Sequence, residues 1–362
     1  MARITNNRRD KNKKRQFGKK AWGGGARAAR APHKNKHPGR KSNQTKLLAN
    51  LPFGLSPRWL ATILMLVNVI FWGAALPISK FALDDSTAFR FLLYRFSLAA
   101  IFSLPILFIY WKKLRPKFFN ISKIVVLETL GTSIALGSLY LGLKQTSALE
   151  ASLLVTTIPV FVTLGGIFFL GEKQNGYEWA GLFLALAGSI FLVFEPLISG
   201  NGHYNRGTVV GNSWIMFSNI VTAAYYLLAK KHYQRLPKLF VASVSFWVGM
   251  VTFLILAWWE LNQGWSGLTS TIVADLLVPS VWWSSLYMAI FGSIIGLTAY
   301  IAGQNFIEAS EASYFSYLQP MVYIPLSFYL HDELLTWGMG LAIAVIMVGV
   351  LIAEIRWSRV KV

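Results

Sequence analysis

The stretch of sequence that decides the fold reads Glu150-Ala151-Ser152, then Pro159, Gly171-Glu172 and Gly188. It returns 161 residues later as Glu311-Ala312-Ser313, Pro320, Asp332-Glu333 and Gly349, with a single change, Gly171 to Asp332. Two more glycine pairs lie upstream at the same offset, Gly131 with Gly292 and Gly142 with Gly303. A constant offset held over about sixty residues without a gap indicates an internal duplication.

The composition around this stretch is that of a membrane protein. The chain has 362 residues, 54% hydrophobic and 14% charged, and a mean hydropathy of +0.47. A soluble domain would be about a quarter charged. Apolar runs of about 20 residues, enough to cross a bilayer, recur from residue 60 onwards. They predict an all-α polytopic membrane protein with ten transmembrane helices over residues 60–83, 87–111, 121–144, 148–171, 176–195, 208–231, 238–261, 280–305, 311–330 and 335–355.

The duplication and the helix count together predict two inverted five-helix repeats. Five is odd, so the second copy enters the bilayer from the opposite side to the first. Such a pair can pack in two nearly equivalent ways, one open to each side, which favours a transporter with alternating access. The bias of lysine and arginine between loops predicts that both termini are cytoplasmic, in a plasma (inner) membrane. The predicted inner basic residues include Lys112, Lys113, Lys230, Lys231, Arg356 and Arg359.

The predicted domains are a basic, disordered cytoplasmic tail (1–56), the first repeat (57–200), the second repeat (205–356) and a short basic cytoplasmic tail (357–362). Residues 1–47 hold 16 of the 35 lysines and arginines and one of the 15 acidic residues. Two interpretations of this tail remain open. It is either a solvated segment that fixes orientation, or a segment that contacts anionic lipid or RNA through its charges.

Pro159 and Pro320 lie near the middle of two predicted helices. A proline in mid-helix leaves the carbonyl four residues earlier without its hydrogen-bond donor. The freed carbonyls here are those of Val155 and Ser316. In a bilayer, such a carbonyl must be buried in protein or face water. The breaks indicate either the wall of a central substrate cavity or simple structural kinks. The polar side chains of Asn68 and Trp72, in mid-helix, likewise indicate either a cavity wall or packing between helices or against lipid. We predict that the cavity is lined by Asn68, Trp72, Thr156, Pro159, Asn219, Tyr225, Tyr300, Tyr317, Gln319 and Pro320.

Two ionisable residues fall inside predicted spans, where their cost makes them functional candidates. Arg95 is the deepest base, although it could instead snorkel or bind backbone carbonyls. Glu128 is the acid that lies well inside a span, so it is the candidate carrier if transport is coupled to protons. Ser147 and Glu150 fit a capping box that opens a helix. Glu172 and Glu333 end the two equivalent helices, and we interpret them as anchors or gate contacts.

Some classes of function are excluded or disfavoured. The chain has no cysteine, which excludes disulfides and thiolate chemistry. It has no Gly-rich phosphate loop, no metal-ligand spacing and no nucleophile–base arrangement. We therefore predict no catalytic residue, no metal, no cofactor and no enzymatic activity. The expected partners are a small-molecule substrate, the lipid bilayer and a second copy of the chain in a homodimer.

Several of these motifs resemble a known family. Phe71-Trp72-Gly73, Arg95-Phe96, the run from Thr146 to Pro159 and Gly171-Glu172 are similar to an EamA-type domain, and Glu311 to Glu333 repeats the pattern. The resemblance is to the drug/metabolite transporter superfamily and covers about residues 60–355. It implies two inverted five-helix repeats, a central cavity and outward transport of small metabolites such as amino acids. The competing hypothesis is a non-transporting or lipid-handling membrane scaffold whose basic tail holds RNA or anionic lipid.

Overall fold

The fold is known from a computed structural model, in which every regular element among the described residues is a helix. The described residues are 57–114, 118–170, 176–198, 206–233, 236–261, 264–304, 306–307, 315 and 318–354. Both predicted terminal tails, Tyr317, Glu172 and the Glu311-Ala312-Ser313 copy lie outside these residues.

The first half of the chain contains α1 (Pro57–Gly73), α2 (Ala75–Leu83), α3 (Ala88–Leu114), α4 (Phe118–Glu128), α5 (Gly137–Gln145), α6 (Ala148–Val155), α7 (Ile158–Leu170) and α8 (Gly176–Ile198). The second half contains α9 (Arg206–His232), α10 (Lys238–Leu261), α11 (Gly264–Leu276), α12 (Pro279–Tyr287), α13 (Gly296–Gly303), α14 (Pro320–His331) and α15 (Trp337–Glu354). Two π-helical segments, Thr129–Leu136 and Met288–Ile295, join α4 to α5 and α12 to α13.

Helices of this length and composition make the chain a multi-pass integral membrane protein. Within the described residues, six helical stretches are long and apolar enough to span a bilayer: Pro57–Leu83, Ala88–Leu114, Ile121–Gln145, Ala148–Phe169, Lys238–Leu261 and Pro279–Gly303. Two shorter apolar helices cover Trp179–Glu195 and Trp337–Gly349. The apolar surface of the protein supports this assignment: Phe169 is 81% exposed and Leu341 is 59% exposed. Large exposed apolar surfaces of this kind mark contact with lipid or with other proteins.

Several predicted helices are interrupted, and the interruptions recur in both halves. The π-helical segments contain Gly131 and Gly292, two glycines of the duplicated pattern. The fourth predicted span is broken between α6 and α7, where Thr156 and Thr157 form a turn before Pro159. In the second half, Phe315 is helical, Leu318 and Gln319 form a turn, and the next helix begins at Pro320. The π-helical segments were not predicted from the sequence.

The duplicated glycines allow α8 and α15 to pack closely. A Cβ atom on Gly188 would lie 2.9 Å from the Ile346 side chain, and one on Gly349 would lie 2.4 Å from the Ala185 backbone nitrogen. The 161-residue offset relates one contact to the other, because it pairs Gly188 with Gly349 and Ala185 with Ile346. The residue numbers rise along one helix as they fall along the other, so α8 and α15 are antiparallel.

The helices α3 and α10 also pack antiparallel across the two halves of the chain. Near one end, the Thr87 hydroxyl donates to the Glu260 carboxylate at 2.7 Å. Further along, the Phe96 ring lies 5.6 Å from the Phe253 ring and 6.4 Å from the Phe246 ring. The largest buried apolar cluster contains Phe96 and Phe253 together with residues from both halves. The two halves therefore share one core.

Candidate substrate cavity

A cavity of about 620 Å³ lies between the two halves of the chain. Its wall is built by α1, α2, α3, α5, α6 and α7 from the first half and by α9, α13 and α14 from the second, together with both π-helical segments. A cavity of this size is in the range that binds small organic molecules.

The structure brings together most of the residues predicted for the cavity wall. The residues predicted for the wall that line it are Trp72, Thr156, Pro159, Asn219, Tyr300 and Gln319. Arg95, predicted separately as a charged residue inside a span, also lines it. Pro320 lies just behind the wall, in a small crevice that it shares with Thr156 and Tyr323. Asn68 and Tyr225 make other contacts, described below, and Tyr317 lies outside the described residues.

The helix break between α6 and α7 is stabilised by a residue from the second half. The Asn219 amide donates from Nδ2 to the Leu154 carbonyl oxygen at 2.8 Å and to Thr157 Oγ1 at 3.1 Å. The Thr157 hydroxyl itself donates to the Leu154 carbonyl oxygen at 2.7 Å. Carbonyls near the break are thus satisfied by side chains, as required where water is absent. Asn219 therefore joins α9 to the broken helix at the cavity wall.

The opposite part of the wall is built around Trp72. Its indole Nε1 donates to the Gly292 carbonyl oxygen at 3.0 Å, in the second π-helical segment. Its ring lies 5.3 Å from that of Tyr300. A Cβ atom on Gly296 would lie 2.9 Å from the indole nitrogen, so a larger residue there would displace the indole. Glycine at position 296 therefore gives Trp72 its place in the wall.

Asn68 connects helices rather than lining the cavity. Its side chain is 4% exposed, and its Nδ2 donates to the Gly296 carbonyl oxygen at 3.1 Å. In the other half, the Ser218 hydroxyl donates to the Ala135 carbonyl oxygen at 2.7 Å. Ala135 and Gly296 are themselves 161 residues apart, so each half offers the equivalent backbone carbonyl to a polar side chain of the other half. A buried polar residue in mid-helix can thus serve packing, one of the alternatives left open by its sequence.

Arg95 reaches the cavity from α3. Its Nη1 donates to the Tyr140 hydroxyl at 3.0 Å, and this hydroxyl is also hydrogen-bonded to Ser79 Oγ at 3.0 Å. The guanidinium carbon lies 5.2 Å from the centre of the Phe96 ring and 5.9 Å from that of Tyr140. Both distances are within the range of cation–π attraction. The cation is therefore held by a rigid aromatic and hydroxyl framework.

Glu128 lies outside the cavity wall, in a polar cluster of its own. Its carboxylate accepts hydrogen bonds from the Tyr225 and Tyr233 hydroxyls, both at 2.8 Å, and from Thr132 Oγ1 at 3.3 Å. This explains why Tyr225, predicted as a wall residue, points away from the cavity. Tyr233 follows the end of α9. Burial, and then the neighbouring Glu128, raises the pKa of Tyr233 above its ordinary value, so the phenol remains a hydrogen-bond donor.

One end of the helix bundle carries polar contacts between the two halves. The Glu333 carboxylate accepts from the backbone N–H groups of Ala148 and Leu149 at 2.8 and 2.7 Å. These groups open α6, whose N-cap Ser147 accepts from the Glu150 N–H at 3.0 Å, as predicted. A carboxylate at a helix N-terminus also interacts favourably with the helix dipole. Glu333 therefore connects the loop before α15 to the start of α6.

A second contact at the same end centres on Asp275 of α11. Its carboxylate pairs with Arg90 at 3.1 Å and accepts hydrogen bonds from the Tyr94 hydroxyl at 2.7 Å and the Ser86 hydroxyl at 3.2 Å. The Lys144 ammonium, near α6, donates to the Ser86 carbonyl oxygen at 2.9 Å and so connects this cluster to the region of the Glu333 contact. The sequence did not predict the contacts among Arg90, Tyr94 and Asp275.

Sequence reasoning also missed three aromatic residues of the wall, Tyr140, Tyr226 and Tyr323. Helical spacing could have found two of them. Tyr226 lies four residues after Thr222, and Tyr323 four residues after Gln319, so each shares a helix face with a polar residue.

Among the described residues, no group of three or more His, Asp or Glu side chains could hold a metal ion.

Residues 59–194 and 209–354 each match the EamA-like transporter family. The chain is 24% identical over 307 residues to the uncharacterized transporter YcxC of Bacillus subtilis, covering 84% of this chain and 95% of that protein. An uncharacterized transporter of Archaeoglobus fulgidus is 22% identical, with 75% and 89% covered. A WAT1-related protein of Arabidopsis thaliana is 26% identical, with 63% and 76% covered. A solved crystal structure with 17% identity has a similar fold, with a TM-score of 0.54 and 81% and 96% covered.

Proposed function

Because this chain belongs to the EamA-like transporter family, we propose that it is a secondary transporter that exports small metabolites, such as amino acids or related compounds, by alternating access. The family and the relatives named above are transporters rather than enzymes. The observation that carries the proposal is the cavity of about 620 Å³ between the two halves. Its wall combines aromatic rings with a few polar groups, the composition typical of a site for a small molecule.

We propose ten membrane-spanning helices arranged as two inverted five-helix repeats. Three observations support this arrangement. The contacts of Gly188 and Gly349 are exchanged by the duplication, α8 and α15 are antiparallel, and α3 and α10 are antiparallel. Equivalent helices that cross antiparallel are expected when the repeats have opposite orientations in the membrane. An inverted pair offers two packings of similar energy around a fixed cavity.

In this proposal the end that carries Glu333 and Asp275 faces outward, since the basic loops are expected inside. Contacts between the halves then close the outer side, at Glu333 with α6 and at Asp275 with Arg90. Export requires these contacts to break so that the cavity opens outward. The broken helices beside Pro159 and Pro320 are the natural places for the bending, because a proline interrupts the helical hydrogen bonds.

Efflux from reconstituted vesicles tests this function. Proteoliposomes are loaded with a mixture of isotope-labelled metabolites, and the compounds that leave are identified by mass spectrometry. We expect a subset of small solutes to leave faster than from protein-free vesicles. The variant Gln319→Ala, in the cavity wall, should reduce this efflux at least tenfold. Gln145→Ala, an exposed glutamine outside the wall, is the matched control and should leave efflux unchanged. Efflux equal to that of empty vesicles, or equal in both variants, would contradict the proposal.

The basic tail supports a second candidate, a membrane scaffold that holds anionic lipid or RNA. The tail carries most of the excess positive charge of the chain, and clustered lysine and arginine bind phosphate. Deleting residues 1–50 separates the two functions. A transporter should keep its efflux after the deletion, whereas a scaffold should lose a partner that purifies with the full chain. No efflux from the full chain, together with loss of that partner on deletion, would favour the scaffold.

A further inference from the structure

We propose that the cavity selects organic carboxylates with a single negative charge and an apolar or aromatic body, and that Arg95 binds the carboxylate. The inference rests on the proposed transport function and, among the small metabolites proposed there, favours monocarboxylates over zwitterionic amino acids. It starts from the position of one cation. Arg95 lines the cavity, and its Nη1 is fixed by the hydroxyl of Tyr140, which is 1% exposed. The direction of the guanidinium is therefore set before any substrate arrives.

The guanidinium lacks a counter-ion within the described part of the chain. It makes one hydrogen bond there, to a neutral hydroxyl, and no ion pair. Its Nε atom is buried without a hydrogen-bond partner. None of the described side chains that line the cavity is acidic. An arginine inside a membrane segment is costly, about 2.5–3.5 kcal/mol on insertion scales, and such residues usually pair with something. A substrate anion supplies the missing partner.

The charge is also absent from the equivalent helix of the second half. The helix α10 corresponds to α3, and its only basic residue is Lys238, its first residue. Other cavity features follow the duplication, as the helix breaks and π-helical segments do. Among the described wall residues, the positive charge thus lies on one side of the cavity, which orients a substrate with one anionic end.

The chemistry of the wall narrows the class of anion. One arginine balances one negative charge, whereas a phosphate monoester carries nearly two at neutral pH. The planar guanidinium fork matches a carboxylate in bidentate geometry. The other described wall residues are uncharged: aromatic and aliphatic side chains, with Trp72, Tyr226 and Tyr300 among them, alternate with neutral Ser, Thr, Asn and Gln side chains. The Tyr323 hydroxyl is buried without a partner and is a further donor beside the cavity. An amine would find no acidic residue among the described wall residues to balance its charge.

Ligands matched in shape but not in charge test the inference on the purified full chain in detergent. The probes are three bodies (butyl, isopentyl and phenylethyl), each carrying a carboxylate, a primary amide or an ammonium group, plus 2-phenylethyl phosphate. Dissociation constants are measured from ligand-dependent thermal unfolding. We expect at least one carboxylate to bind tenfold or more tightly than its amide. The ammonium and phosphate compounds should bind more weakly than that carboxylate.

Variants then assign the preference to Arg95. In Arg95→Gln, the carboxylate and amide of the best body should bind equally. Arg58→Gln, an exposed arginine on α1, is the matched control and should keep the preference. If Arg95→Gln does not fold, Arg95→Lys decides: without the planar fork, carboxylate affinity should fall at least threefold while amide affinity stays the same.

Four results would overturn the inference: equal binding of acids and amides, preference for ammonium or phosphate, no carboxylate binding at all, or an acid preference unchanged by both Arg95 variants. Efflux measurements separate this failure from failure of the transport proposal. Efflux limited to neutral or cationic solutes would refute the role of Arg95 and keep the transporter. Carboxylate binding without efflux of any solute would refute the transport proposal and keep the role of Arg95 in binding.

Discussion

The contact of Glu333 with the start of α6 gives a quantitative prediction about alternating access. In Glu333→Gln the side chain keeps one amide oxygen as an acceptor but loses its charge and one of its two backbone hydrogen bonds. Hydrogen bonds to charged groups contribute about 1.5–3 kcal/mol each. Because Glu333 is half-buried, we take a value of about 2 kcal/mol from the lower part of this range. Since 1.4 kcal/mol corresponds to a factor of ten, the outward-open population should rise roughly thirty-fold.

The absence of cysteine makes this prediction measurable. A single cysteine is placed in the cavity wall by Thr156→Cys, and its reaction with a membrane-impermeant thiol reagent is followed from the outside of intact cells. The labelling rate should rise about thirty-fold when Glu333→Gln is added, because the rate follows the outward-open population.

The neighbouring Asp332→Asn is the matched control for Glu333→Gln. It removes a charge from the same loop, and asparagine tolerates the left-handed backbone of Asp332, whose φ is 54°. This variant should label at the rate of the parent. An unchanged rate in Glu333→Gln, with the melting temperature preserved, would refute the assignment of Glu333 to a closing contact. A rise of the same size in both variants would also refute it.

Three further predictions concern packing, the helix break and coupling. Gly349→Ala should lower the melting temperature by several degrees, because overpacking costs about 1–3 kcal/mol. Gly340→Ala on the same helix is the control and should be tolerated, since the nearest neighbour atom to its added Cβ lies at 3.9 Å. Equal melting temperatures of the two variants would contradict the α8–α15 packing. Asn219→Ala should destabilise the protein by about 1–3 kcal/mol, since it leaves the Leu154 carbonyl without its amide donor. Chemical denaturation measures this change in the free energy of unfolding. An unchanged free energy of unfolding would contradict the role of Asn219 in stabilising the helix break. Glu128→Gln should abolish efflux driven by a proton gradient and spare solute exchange if Glu128 carries the proton; gradient-driven efflux that persists would exclude it.

The sequence predicted the parts of this fold that depend on local pattern. The duplicated glycines predicted two related halves, and their contacts are indeed exchanged by the duplication. Ser147 predicted the start of α6, because an N-cap hydroxyl acts on its own helix. Pro159 predicted the break before α7 for the same local reason, a missing N–H group. Trp72, Asn219 and Gln319 were expected in the cavity wall and lie there.

Long-range pairing could not be predicted in the same way. Whether Asn68 faces a cavity or a neighbouring carbonyl depends on how closely α13 approaches, and the sequence of α1 does not contain that information. Tyr225 has an aromatic ring suited to a binding site, yet it bonds to Glu128, which lies 97 positions earlier in the chain. The partnership of Arg90 with Asp275 joins two segments that carry no shared pattern. Each of these contacts is set by packing between helices.

The inverted arrangement of the two copies is the central claim, and sided labelling tests it most directly. Lys112 and Glu260 are exposed residues near the ends of the equivalent helices α3 and α10. Each is replaced by a single cysteine, and an impermeant thiol reagent is applied to intact cells and to inside-out vesicles. The account predicts that Lys112→Cys reacts only in inside-out vesicles and Glu260→Cys only in intact cells. Reaction of both cysteines from the same side would contradict it.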